Sequence, residues 1–204
     1  MDTTIFWNWF VENNEQLVML NDLEKTQQLQ LLEAMQHQLD QFCEGLTFEM
    51  GEPTPSGRTL TFSAEGDMDL FEYVVALTDE APDLDWWDFV AFKQPAGKNV
   101  KVTFDKYHFA SKDMYFQQLE CEEEPDILGV RVAIPNPVKK DDDDDQLVGV
   151  YVTLEAMIGE FDCATLVGYL EVCPVPEEPF KAGFKPLDDF PEFVEWFKAQ
   201  RDRD

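Results

Sequence analysis

A chain of 204 residues, 44% hydrophobic and 13% aromatic, can bury a substantial core and lies far from the composition of disorder. Its 43 acidic residues against 15 basic ones, a formal charge of −28, oppose binding to nucleic-acid backbones and to anionic membrane surfaces. No window approaches the ~18 continuous apolar residues of a membrane span, and MDTTIFWNWF has no basic start or long apolar run, so it does not read as a signal peptide. The expectation is a soluble cytoplasmic protein with no nucleic-acid or membrane partner.

The first predicted element is a helix over 3–14, with Phe6, Trp9 and Phe10 on one stripe and Trp7 beside them. A longer helix follows, capped by Asn21 with Glu24 in a capping-box position. Leu32, Met35, Leu39 and Phe42 form its inward stripe, Gln27 to Gln41 its solvated face, and Gly45 its end. Residues 46–95 then read as a strand, a turn, a strand, a helix and a strand. Leu60 and Phe62 alternate with Thr59, Thr61 and Ser63, the period of a half-buried strand. Asp67 caps the helix, Phe71, Val74 and Val75 face inward, and Pro82 stops it. In the strand at 86–93 both faces are apolar, which predicts a central strand.

Residues 96–113 read as a connecting edge strand, with Val100, Val102 and Phe104 on one face, followed by a loop holding Tyr107 and His108. The order strand, turn, strand, helix, strand recurs over 114–174. MYFQQLE and ILGVRVAI flank an acidic turn, a helix spans 146–158 to Gly159, and a strand closes at 164–173. Residues 175–204 read as an extended arm and a short amphipathic helix near Pro191. The expected fold is one α+β domain over 1–204. In it, two pseudo-duplicated ββαβ units share one mostly antiparallel sheet, of ferredoxin-like character, with the N-terminal helices packed on it.

Residue types that carry catalysis are sparse. Cys43, Cys121, Cys163 and Cys173 include no Cys-x-x-Cys pair, and the last two, ten residues apart in one predicted strand, stand about 33 Å apart, so they read as reduced thiols. His37 and Cys43 diverge on their helix, and His108 reads as a solvated loop residue. No serine lies in a Gly-x-Ser-x-Gly elbow, and no phosphate-cradling glycine loop or metal-ligand spacing is present, so no catalytic residue, cofactor or metal is assigned. The run Asp141 to Asp145 lacks the turn glycine and distal glutamate of a calcium loop and reads as a solvated lead into the next helix.

The aromatic clusters are more informative. Adjacent Trp86 and Trp87 in a strand must point to opposite faces, so a solvent-facing one is a binding anchor. Asp83, Asp85 and Asp88 flank the pair. Trp86, Trp87, Tyr107 and His108 are the candidate partner- or ligand-binding residues.

The segments FWNWFVENNEQL, LTFE, AFKQP and IGEFDCATLVGYLE resemble an uncharacterised group of bacterial cytoplasmic proteins of unknown function. The resemblance spans most of the chain. It implies a single α+β domain and no activity.

Three functions remain open at this point. The first is a non-enzymatic interaction or inhibitor-like protein that meets a basic partner through an acidic, aromatic-bordered surface. The second is a small-molecule domain with an aromatic-lined pocket. The third is an enzyme built on a carboxylate site.

Overall fold

The computed structural model describes residues 1–119, 126–135, 137 and 145–201. The chain is mixed α+β and divides into two compact units, Met1–Lys93 and Gln94–Asp204. Six helices and nine short strands, in three mostly antiparallel sheets, are found among the described residues.

In the first unit, α1 (Thr4–Val18) buries Phe6, Trp7, Phe10 and Leu17. The inward indole is therefore Trp7, not Trp9. Its Nε1 donates to the Leu77 carbonyl at 3.1 Å, a polar partner inside the core that Trp9 lacks. α2 (Lys25–Phe42) keeps the predicted stripe, with Met35 and Leu39 fully buried. Its cap is Glu24 instead of Asn21, because Asn21 is taken into a short 3-10 turn at Leu20–Asp22. The Glu24 backbone N–H donates to Gln27 Oε1, closing the box three residues later than expected. Gly45 has the expected positive φ, +96°, but does not cap α2, which ends at Phe42 with Cys43 extended after it; the glycine sits in the turn that leads into the sheet.

β1 (Thr47–Met50) runs antiparallel to β2 (Arg58–Ser63), and β3 (Trp87–Ala91) runs parallel to β2 after α3 (Phe71–Asp79). The central strand is β2. β3, expected in the middle, ends its sheet. Its apolar faces have another cause: Trp87 and Phe89 turn into an aromatic core of Phe6, Trp7, Phe10 and Phe62, with ring centroids 4.7–6.1 Å apart. Edge-to-face packing of this kind adds about 0.5–1.5 kcal/mol per pair beyond area burial.

In the second unit, the predicted connecting strand pairs with a strand that sequence reading placed in a loop. β4 (Lys101–Phe104) and β5 (Tyr107–Ala110) form a hairpin that turns at Asp105, φ +50°. β6 (Tyr115–Leu119), β7 (Leu128–Ile134), β8 (Val167–Pro174) and β9 (Lys185–Pro186) form a sheet in the order β8-β7-β6-β9. β7, buried almost throughout, is the strand covered on both faces. Helix α4 (Asp145–Ile158) matches the prediction. Gly159, φ +87°, ends it, but a second helix, α5 (Glu160–Leu166), follows where the strand was expected to begin. Cys163 is thus a buried helical residue and only Cys173 lies on β8. α6 (Phe190–Arg201) closes the chain.

The β1-β2-β3 sheet and the β8-β7-β6-β9 sheet each contain an antiparallel pair followed, after one or two helices, by a strand parallel to its second member. The two sets of strands are nevertheless not joined: they belong to separate sheets, so the single shared sheet expected from the sequence does not form. Hydrophobic periodicity reports which faces are buried and carries no information on which strands pair. Cys121 and Asp141 to Asp144 lie outside the described residues.

Candidate functional site

Trp86 precedes β3 in a turn and is 54% exposed, whereas Trp87 is 8% exposed. Of the pair, only Trp86 presents its ring to solvent. Trp87 packs on Phe10 at 4.9 Å, and its buried Nε1–H has no hydrogen-bond partner among the described residues. The backbone around Trp86 is fixed from both sides. The Trp87 N–H donates to the Leu84 carbonyl at 3.0 Å, and the Arg58 N–H donates to the Trp86 carbonyl at 2.9 Å. Gly57, φ +125°, lies so close that an added Cβ would stand 2.5 Å from the Trp86 carbonyl oxygen. Asp83, Asp85 and Asp88, which flank Trp86 in sequence, are all exposed.

Arg58 was not singled out by sequence reading, yet it organises this region. It is buried, with Nε donating to the Gly51 carbonyl at 3.0 Å and Nη1 to the Leu17 carbonyl at 3.0 Å. It therefore ties the last turn of α1 to the 51–57 loop and to the start of β2. Burial lowers its pKa while nearby Glu52 opposes that shift.

The charge of the first unit is lopsided. Met1–Lys93 holds 19 acidic side chains against Lys25, Arg58 and Lys93, a net of −16, and all 19 are exposed. Of the three cations Arg58 is buried and Lys93 pairs with Glu65 at 2.8 Å. Burial raises the Glu65 pKa, but hydrogen bonds from Lys93, Thr47 and Ser63 together pull it below the usual range. The second unit is built differently, with Lys98–Glu192, Arg131–Glu171, Lys198–Asp162 and Arg201–Asp126 ion pairs at 2.7–3.5 Å.

In that second unit, Tyr107 and His108 stand side by side on β5 and line one cleft of about 270 Å³ with Asp113, Ile134 and Gln146. His108 is exposed on a strand, not in a loop, and its Nδ1 lies 2.9 Å from Thr103 Oγ1 across the hairpin. Among the described thiols, burial raises the pKa of Cys43, Cys173 and, up to about 12, Cys163, which disfavours the thiolate form. No group of three His, Cys, Asp or Glu side chains suited to a metal ion occurs among the described residues. No described helix is long and apolar enough to cross a membrane.

The four sequence candidates thus fall into two places, Trp86 and Trp87 in the first unit and Tyr107 and His108 in the second. Asp113 and Gln146 were missed because the strand-to-helix fold, not a motif, brings them to the cleft. No protein-family profile, curated protein or solved structure matches this chain.

Proposed function

We propose that this protein is a non-enzymatic binding protein, of the interaction or inhibitor type, that meets a basic partner protein through its Met1–Lys93 unit. The observation that carries the reading is the exposure of all 19 acidic side chains there beside three cations, one of which is buried. Like charges crowded on one small unit destabilise it by self-repulsion, and a partner of opposite sign relieves that cost as it docks. Complementary fields also steer the encounter, so association is fast and sensitive to salt.

Zero-length carbodiimide cross-linking in native lysate at low salt tests this. The expected product joins lysines of a basic protein to carboxylates of Met1–Lys93, and moderate salt abolishes it. Cross-links confined to Gln94–Asp204, or insensitive to salt, contradict the reading.

A second reading, a small-molecule site, is favoured by one observation: Tyr107 and His108 line the same cleft. Its mixed lining of aromatic, carboxylate and amide groups suits a small polar ligand. Ligand-induced shifts of the His108 ring resonances would support it, and a fragment screen that leaves them unmoved would remove it.

A further inference from the structure

We propose that Trp86, with Asp85 and Asp88, is a receptor for an arginine side chain of the partner protein; this rests on the basic-partner reading above. Three observations combine. The indole of Trp86 is 54% exposed, and no ring or cation of the described residues packs on it. Its backbone is clamped by the Arg58 N–H and crowded by Gly57, while neighbouring Trp87 is anchored in the aromatic core. The alternation about buried Trp87 leaves Trp86 and Asp88 exposed together, and Asp85 is exposed beside them.

An exposed indole face and carboxylates next to it are the two halves of a guanidinium site. A cation over Trp is attracted by the ring quadrupole, and Trp is the strongest of the three rings in this respect. A guanidinium can stack its plane on the indole while its forked N–H groups reach outward to carboxylate oxygens. An ammonium is a compact, strongly hydrated point charge and cannot do both. The acidic surroundings exclude anionic ligands, and the fixed backbone lowers the ordering cost of binding. The occupant is therefore a protein arginine rather than a lysine.

The test uses two eight-residue peptides, identical except that one carries four arginines and the other four lysines. Each is titrated calorimetrically into the full chain at 50 mM salt. The arginine peptide is expected to bind about fivefold more tightly, the scale of one cation–π contact. Trp86→Ala should erase that preference and leave lysine-peptide affinity within about twofold, since general charge attraction remains. Trp86→Phe should keep part of the preference. In the wild-type chain, where no substitution can disturb folding, the arginine peptide should shift the Trp86 indole N–H resonance. Equal affinities of the two peptides, an arginine preference that survives Trp86→Ala, or an unmoved Trp86 resonance would each overturn the arginine site. If both peptides bind equally and salt weakens both, the arginine site is wrong and the acidic-unit reading stands. If neither binds, both are wrong.

Discussion

The backbone N–H of Arg58 donates to the carbonyl of Trp86 at 2.9 Å, so the residue that locks α1 to the sheet also anchors the backbone that carries the exposed indole. One position therefore couples the stability of the first unit to the geometry of its candidate binding surface.

Arg58→Met tests that coupling. The methionine fills similar space but leaves the Gly51 and Leu17 carbonyls without their guanidinium donors. The buried Leu17 carbonyl, left without its donor, costs about 1–3 kcal/mol, whereas the Gly51 carbonyl, on an exposed residue, can turn to water. The first unit should lose roughly 1–3 kcal/mol of stability by urea denaturation, on the same scale.

Gly57→Ala attacks the other side of the clamp. A Cβ there meets the Trp86 carbonyl at 2.5 Å, and φ +125° is strained for any L-residue. The loop must move, at a cost of about 1–3 kcal/mol. The amide resonances of Trp86 and Arg58 should shift more than those of α2. Unchanged resonances at Trp86 would show that the contact is not tight.

These positions mark what the sequence could and could not convey. The stripe at Met35 and Leu39, the alternation at Leu60 and Phe62 and the helix ending at Gly159 follow from periodicity and backbone chemistry, and each was legible. The cap at Glu24 was hidden because Asn21, a residue type favoured at N-caps where Glu is not, lies three residues earlier. α5 was hidden because Val167 to Val172 has strong strand character. The available signal was Glu160 and Asp162 in a first turn after a glycine, with Cys163 and Leu166 one turn apart and both buried. Arg58 looked like an ordinary strand-start cation, since only the fold brings the Leu17 carbonyl to it. Trp86 was legible as a candidate anchor, but which of the two tryptophans faces solvent was decided by Phe10 and Phe89 packing on Trp87.

Gly149→Ala sets two effects against each other in the second unit. Alanine favours a helix interior over glycine by about 0.8–1 kcal/mol. The added Cβ, however, would lie 2.2 Å from the buried Phe109 ring, and overpacking costs about 1–3 kcal/mol. Net destabilisation of about 0–2 kcal/mol is expected. Gly149→Ala combined with Phe109→Leu should recover part of it in a double-mutant cycle.

The second unit should also lose stability in alkali. Burial raises the Cys163 thiol from 9.0 to about 12, and it raises the Tyr151 hydroxyl as well. A raised folded-state pKa gives stability that is fully present below the unfolded value and is lost as pH climbs through the folded one. The loss should therefore run from about pH 9 toward pH 12 and shrink in Cys163→Ala, as followed by near-ultraviolet circular dichroism. A Cys163→Ala protein with an unchanged alkaline transition would assign that transition elsewhere.

The claim that the first unit is the binding face is tested most directly by neutralising equal numbers of carboxylates on each unit. One variant carries Asp83→Asn, Asp85→Asn, Asp88→Asn and Glu52→Gln. The other carries Asp105→Asn, Asp113→Asn, Glu177→Gln and Glu178→Gln. Both lose four negative charges, and their affinities for the cross-linked partner are compared at fixed ionic strength. The account predicts at least about tenfold weaker binding for the first variant and a change within about threefold for the second. Equal weakening, or greater loss in the second variant, would contradict it.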